Sequence, residues 1–148
     1  MPVRSGLIDD LPGCKAIAYY CFMELETYRD LTPEFELLTE RLLTDSSYAL
    51  FVSEKEDGSI NGFMIAQLQR GLYFRETVAT NLVFYVLPEA RGMAPYLLIK
   101  EFEAWAKLNN ANEIHLSTSG GTNLERNLKF FSGLGYKLSG ILTIKKVK

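Results

Sequence analysis

The chain of 148 residues contains one histidine, two cysteines and one tryptophan. A metal site built from several histidines is therefore impossible, and no spacing of cysteine and histidine resembles a zinc site. Cys14 and Cys21 are two turns apart on one predicted helix, about 10 Å, so a disulfide between them is not expected. The sequence predicts no metal, and it predicts two small core side chains in a reducing compartment.

The sequence also lacks a strong net charge and a long apolar run. The formal net charge is −2 at pH 7, which gives no general attraction to nucleic acid or to an anionic membrane. No apolar run reaches the roughly 20 residues that span a bilayer. Residues 1–5 have the pattern of a strand rather than that of a signal peptide. We therefore expect a cytoplasmic protein without a nucleic-acid or membrane partner.

What is present suits one globular domain over residues 1–148, with 47% hydrophobic and 23% charged residues. No internal repeat or low-complexity linker divides the chain. Apolar periodicity predicts the order β-α-α-β-β-β-α-β-α-β, an α/β fold with a mixed sheet and helices on both sides. Asp57-Gly58 is a hairpin signal between two of the strands. The strands are predicted over residues 2–8, 48–54, 60–69, 78–87, 113–118 and 136–147.

The turn between the fourth strand and the third helix is the strongest functional signal. An apolar strand runs into a short turn that carries Arg91 and Gly92, and the turn opens an amphipathic helix. The start of a helix presents unpaired backbone N–H groups and the positive end of the helix dipole, which favour anionic groups such as phosphates. The sequence therefore predicts a phosphate cradle at this turn.

Three patterns occur in order along the chain: V-L-P-E-A-R-G from Val86, F-E-A-W-A from Phe102, and a segment from Asn123 that ends K-F-F-S-G-L-G-Y at Tyr136. Together they resemble the GNAT superfamily of N-acetyltransferases over essentially the whole chain, although each pattern alone is weak. The resemblance implies a GNAT-like fold, acetyl-coenzyme A as the acyl donor and a primary amine as the acceptor. Because dimers are frequent in that family, it also implies a possible homodimer.

The resemblance also implies which residues hold the coenzyme. In the family, the exposed backbone of the fourth strand pairs with the pantetheine arm, here at Phe84, Tyr85 and Val86. The loop and helix start bind the pyrophosphate, here at Arg91, Gly92, Met93, Ala94, Pro95 and Tyr96. The last helix adds three further candidates, Asn123, Arg126 and Phe131.

The catalytic residues have a weaker signal. An attacking amine must lose a proton, often through water to a carboxylate. The candidates are Asn81, which stands where some relatives carry an acid, Glu76, the nearest carboxylate in sequence, and Tyr85. Phe131 stands where many relatives have a tyrosine that protonates the leaving thiolate, and phenylalanine cannot do so.

Two functions remain open on the sequence. One is direct acetyl transfer in a ternary complex. The other is a non-catalytic GNAT-fold module that binds coenzyme A or a protein partner, which Phe131, Pro95-Tyr96 and the lack of an obvious base favour. The acyl group and the acceptor are also open. Loops 26–34 and 70–77 are expected to shape the acceptor pocket, with Tyr73 and Phe74 as candidate lining.

Overall fold

The computed structural model describes residues 2–24, 30–71, 75–118 and 123–148. The helices are α1 (Leu11–Glu24), entered through a 3₁₀ turn at Ile8–Asp10, α2 (Thr32–Thr44), α3 (Ala94–Leu108), preceded by a 3₁₀ turn at Pro88–Ala90, and α4 (Leu124–Gly133). The strands are β1 (Val3–Ser5), β2 (Tyr48–Glu54), β3 (Ile60–Arg70), β4 (Thr77–Val86) and β5 (Glu113–His115). The predicted order of elements is confirmed from β1 through α4.

One sheet carries the strands in the order β1-β2-β3-β4-β5. The first four strands pair antiparallel, and β5 pairs parallel to β4. The turn between β2 and β3 contains Gly58 at φ 85°, a left-handed conformation that glycine adopts without steric cost. The mixed sheet and the hairpin at Asp57-Gly58 are as the sequence predicts.

Two apolar layers cover the two faces of the sheet. Along β3, Met64 and Ala66 pack with the helices α3 and α4, whereas Phe63 and Ile65 pack with α1 and α2. These four side chains are 0% exposed, which explains why β3 reads as a continuous apolar run rather than an alternating one. Cys14 is also buried, and this burial raises the pKa of its thiol to about 12.

A polar cluster at Arg4 ties the first strand to its neighbours. The guanidinium donates to both carboxylate oxygens of Asp10, at 2.8 and 3.0 Å, and to Glu54 Oε2 at 3.1 and 3.3 Å. The backbone N–H of Leu7 also donates to Asp10, at 2.7 Å. The hydrogen bonds from Arg4 hold the pKa of Asp10 below its usual value, so the carboxylate stays ionised in the folded chain.

The predicted last strand over Tyr136–Val147 is wrong. Residues 136–148 form no strand, and the part of the chain that the structure describes has a sheet of five strands rather than six. Tyr136 still packs against α4, with its ring centroid 6.3 Å from that of Phe131. The apolar side chains beyond it are 68–86% exposed: Leu138, Ile141, Leu142, Ile144 and Val147.

The physical reason for this difference is pairing. Alternating apolar residues favour a strand, but a strand forms only where a neighbouring edge accepts its hydrogen bonds. The strand β5 at the edge of the sheet ends at His115, three residues before the predicted end at 118, so the edge that it offers is only three residues long. Within the described residues, no helix is both long and apolar enough to cross a membrane.

Candidate active site

A β-bulge interrupts β4 at Leu82. Ile65 pairs with Val83, whereas the next residue on β3, Ala66, pairs with Asn81. Leu82 is therefore the extra residue on β4, and it is 45% exposed. A bulge takes the backbone of the extra residue out of the regular ladder. The middle of β4 thus presents a backbone segment that is available to a ligand.

The strands β4 and β5 pair only over a short stretch that ends beside this bulge. Val78–Thr80 pair with Glu113–His115. At the next residue of β4, side-chain hydrogen bonds from Asn81 take the place of backbone pairing. Asn81 Nδ2 donates to Ser117 O at 2.8 Å, and Asn81 Oδ1 accepts from Ser117 N at 2.8 Å. Beyond Asn81 the described parts of the two strands form no further pairs. Asn81, 7% exposed, holds the closed end of the resulting gap.

The gap opens into a cleft of about 320 Å³. The structure brings most of the predicted coenzyme residues to this one cleft, namely Phe84, Tyr85, Val86, Arg91, Gly92, Pro95, Asn123, Arg126 and Phe131. The side chains of three others lie elsewhere. Met93 is 57% exposed, Ala94 is buried in the core, and the Tyr96 ring lies 5.5 Å from the Lys100 ammonium. Of these three, Met93 is the N-cap of α3, and Ala94 and Tyr96 belong to the first turn of that helix.

The start of α3 faces this cleft without a cap. Met93 occupies the N-cap position, and no side chain among the described residues caps the first turn. The N–H groups of a first helical turn have no acceptor within the helix, and Pro95 supplies none. A Cβ added at Gly92 would meet nothing within 4 Å. The backbone is therefore open at the point where a phosphate would approach.

Arg91 connects this loop to both β4 and α1. Its Nε donates to Val86 O at 3.0 Å, and its Nη2 donates to Glu24 Oε1 at 2.6 Å. The same oxygen accepts from the Tyr85 hydroxyl at 2.8 Å, and the guanidinium lies 5.5 Å from the centre of the Tyr85 ring. Burial, and after it the bond to Glu24, raise the pKa of the Tyr85 phenol, so Tyr85 is protonated at neutral pH.

Sequence reasoning did not identify Glu24 as a residue of the cleft. A partial signal was present: Glu24 lies three residues after Cys21 and seven after Ile17, which places it on the same side of α1 as these two residues, at the exposed end of the helix. The structure shows that its partners are Arg91 and Tyr85.

The other wall of the cleft is the start of α4. Asn123 adopts a left-handed conformation, φ 53° and ψ 47°, immediately before the helix, and asparagine tolerates this region better than most residues. Arg126 is exposed on the first turn. Arg91 and Arg126 therefore place two positive charges on the lining of the same cleft.

Other candidates lie apart from the cleft. Glu76 is exposed and precedes β4, six residues from the bulge, which is about 20 Å along a strand. His115, the one histidine of the sequence, is also exposed and outside the described lining of the cleft, with Nε2 2.8 Å from the Glu113 carboxylate. Tyr73 and Phe74 lie outside the described residues. Within the described residues no group of histidine, cysteine, aspartate and glutamate side chains could hold a metal ion.

A second cavity of about 270 Å³ lies beside the bulge, against α1 and α2. It shares Phe84, Tyr85 and Thr118 with the first cleft. The first cleft and the second cavity therefore meet at the irregular part of β4. The first cleft lies on the side of the starts of α3 and α4, and the second cavity lies on the side of α1 and α2.

No protein-family model matches this chain, and no curated protein does. Solved structures resemble it along its whole length. A glucosamine-6-phosphate N-acetyltransferase from Arabidopsis thaliana is 16% identical, with a TM-score of 0.75 and coverage of 99% of this chain and 98% of that one. AAC(6')-Iy, in complex with the bisubstrate analogue CoA-S-monomethyl-acetylneamine, is also 16% identical, with a TM-score of 0.77 and coverage of 99% and 97%.

A transcriptional regulator from Bacillus halodurans C-125 is 19% identical, with a TM-score of 0.80 and coverage of 98% of each chain. The described sheet and helices, together with these likenesses, show that this chain has the GNAT-type acetyltransferase fold. The predicted fold class is confirmed. Identities this low establish the fold and leave the activity to be argued from the site.

Proposed function

We propose that this protein transfers an acetyl group from acetyl-coenzyme A to a primary amine by direct attack in a ternary complex. The observation that carries the proposal is the single cleft that joins the open edge of β4, the uncapped start of α3 and two arginines. The coenzyme A portion of the analogue bound by AAC(6')-Iy and the N-acetyltransferase from Arabidopsis, both of the same fold, support it.

The residues of the cleft fit the donor. The backbone of Phe84–Val86 pairs with the amides of the pantetheine arm, as a peptide adds to a sheet edge. The N–H groups at the start of α3 bind the pyrophosphate, and Arg91 and Arg126 neutralise its charge. Arg91 must first release Glu24. Both side chains are partly exposed, 40% and 31%, and such an ion pair contributes only about 0–1 kcal/mol, so a phosphate displaces it.

The acetyl group of the bound donor lies beside the bulge at Leu82. The backbone N–H groups around Leu82 stabilise the negative charge that develops on the carbonyl oxygen. The amine nitrogen bonds to the carbonyl carbon, the carbon–sulfur bond breaks, and the electron pair leaves on the coenzyme A sulfur. Free thiols have a pKa of about 8.5, so the thiolate leaves without a general acid, which is compatible with Phe131 in place of tyrosine.

We propose that Glu24 accepts the proton of the attacking amine, either directly or through the Tyr85 hydroxyl and a water molecule. Glu24 is the carboxylate in the described lining of the cleft, and it accepts the Tyr85 hydroxyl. Asn81 positions the strands rather than taking a proton, because both of its polar atoms bond to Ser117. In this proposal Glu76 is too distant to act as the base.

Calorimetric titration with acetyl-coenzyme A tests the binding part of the proposal. The wild type and Arg75→Ala, a matched loss of an exposed arginine, are expected to bind at submillimolar concentration. Arg91→Ala is expected to bind at least tenfold more weakly, because it loses a charge-assisted contact to phosphate. Absence of binding at millimolar ligand, or equal affinity in Arg91→Ala, would contradict the proposed cleft.

We also propose that two copies of the chain form a homodimer through residues 137–148. In support, five large apolar side chains of this segment are 68–86% exposed, and the described residues pair with only one edge of β5. The segment carries Lys145, Lys146 and Lys148, and the exposed Glu113 on β5 has the complementary charge. Light scattering should give twice the mass of one chain, and a chain truncated after Lys137 should be monomeric. A monomeric full-length chain would contradict the dimer.

A further inference from the structure

The lining of the second cavity has a distinct chemistry. Helices α1 and α2 and their connection contribute Ala18, Cys21, Phe22, Leu31 and Phe35, and the bulge contributes Leu82 and Val83. No side chain in the described lining carries a charge. The cavity is therefore an apolar pocket, which we call the α1–α2 pocket.

Asn81 and Tyr85, the two largest polar side chains in the described lining of the α1–α2 pocket, already have partners. The Asn81 amide bonds to Ser117 through both of its polar atoms, and the Tyr85 hydroxyl donates to Glu24. A molecule with several hydroxyl or ammonium groups would lose its hydration here without gaining equivalent hydrogen bonds. The lining favours an alkyl or aryl group.

The position of the α1–α2 pocket identifies which reactant it holds. The donor fills the cleft on the side of Arg91 and Asn123, so the attacking amine needs a separate approach to the bulge. The α1–α2 pocket provides it, because it shares Phe84, Tyr85 and Thr118 with that cleft. An amine at the shared residues would place the rest of its structure among the side chains of α1 and α2.

We infer that the acceptor is a small apolar primary amine, with a short alkyl chain or a single aromatic ring held in the α1–α2 pocket. This inference rests on the proposed acetyl transfer and adds the class of acceptor. The volume of about 270 Å³ is just below the range of about 300–1,000 Å³ typical of small-molecule sites. A compact acceptor therefore fits the pocket, and a polycation does not match its lining.

The test is a series of amines of increasing chain length, with thiol release from acetyl-coenzyme A as the readout. From ethylamine through butylamine to hexylamine, kcat/KM is expected to rise about three- to fourfold per methylene until the pocket is full. Spermidine and ethanolamine are expected to be no better than ethylamine. Calorimetric titration of hexylamine into the protein with coenzyme A bound gives a second readout that is independent of turnover.

A variant that fills the pocket sharpens the test. Ala18 lies on the buried face of α1 and lines the pocket, so Ala18→Leu should raise the KM of hexylamine at least tenfold more than it raises that of ethylamine. Ala16→Leu makes the same change on the exposed face of the same helix and should leave both unchanged. The length series on the wild type stands even if Ala18→Leu folds poorly.

The outcomes separate the two levels of the proposal. Thiol release that does not depend on amine length, or that is fastest with spermidine, overturns the apolar acceptor and leaves acetyl transfer in place. A rate that rises with the length of the acyl group, from acetyl- to hexanoyl-coenzyme A, at constant butylamine would assign the pocket to the donor and also overturn it. Absence of thiol release with every amine overturns acetyl transfer itself.

Discussion

The carboxylate of Glu24 lies 2.6 Å from Nη2 of Arg91, at the guanidinium that the proposed function assigns to the coenzyme pyrophosphate. The two residues are 67 positions apart in the chain. Under the proposed function, Glu24 is an internal anion on the donor's binding surface. Donor binding would then break this contact and make Glu24 available beside Tyr85 for the acceptor amine.

Glu24→Gln should separate these two roles. The amide keeps the size of the side chain and can still accept from Tyr85, but it no longer competes as an anion for Arg91. We expect the Kd of acetyl-coenzyme A to fall by up to about fivefold, with a difference that shrinks as salt screens the ion pair. The kcat of acetyl transfer should fall at the same time, because the proposed base is lost.

Calorimetry at low and high salt together with steady-state thiol release checks this prediction. Glu34→Gln, at an exposed position of α2, is the control for the loss of one negative charge. An unchanged Kd in Glu24→Gln would show that Glu24 does not compete with the donor for Arg91. An unchanged kcat would show that Glu24 is not the base.

Gly92→Ala should weaken donor binding without disturbing the fold. The added methyl would meet no protein atom within 4 Å, so the free energy of unfolding should stay within about 0.5 kcal/mol of the wild type. It would stand in the cleft beside the α3 N–H groups, and we expect at least a tenfold rise in the Kd of acetyl-coenzyme A. A methyl group added at Gly133 would also meet nothing within 4 Å, but Gly133 lies outside the described lining of the cleft. The Kd of acetyl-coenzyme A for Gly133→Ala should therefore equal that of the wild type.

Asn81→Asp distinguishes a positioning role from an acid–base role. The carboxylate cannot donate to Ser117 O, and it would place a negative oxygen 2.8 Å from that carbonyl. We expect a loss of about 2–3 kcal/mol in the free energy of unfolding together with slower acetyl transfer, measured by urea denaturation and thiol release. Faster transfer in Asn81→Asp would show that this position supplies the base instead.

The pairing of Asp10 with Arg4 predicts a pH dependence of stability. Because the pKa of Asp10 is lowered in the folded chain, its contribution is complete above the unfolded value of about 3.9 and is lost as the pH falls through the lower folded value. Asp10→Asn should cost about 1 kcal/mol at pH 7, and its difference from the wild type should shrink below about pH 4. Glu36→Gln, at an exposed helix position, serves as the charge control in urea denaturation, and a difference that grows on acidification would contradict the pairing.

The strand, turn and helix start around Arg91 and Gly92 were predictable because their signal is local. Arg91, Gly92 and the start of α3 are contiguous in sequence, and residues of the turn also line the cleft. The same holds for the strands β2 and β3, whose hairpin is encoded by Asp57-Gly58. Such features depend on neighbouring residues, which the sequence displays directly.

The features that sequence reasoning missed depend on contacts between distant segments. The bulge at Leu82 arises from the register between β3 and β4, and the apolar pattern of β4 does not reveal it. Glu24 reaches Arg91 only because α1 packs across the end of β4. The alternation in residues 136–147 predicts a strand, but whether it pairs depends on an available edge elsewhere in the structure.

Acetyl transfer to a primary amine is tested by comparing a primary amine with a tertiary amine of similar shape. Acetyl-coenzyme A is incubated with the protein and hexylamine, or with N,N-dimethylhexylamine, which presents a similar apolar group but cannot form a stable amide. With hexylamine we expect thiol and N-hexylacetamide in equal amounts, and with N,N-dimethylhexylamine we expect no thiol release above the protein-free rate. Donor binding without thiol release for hexylamine and for a panel of other primary amines would contradict it and identify the chain as a binding module of this fold.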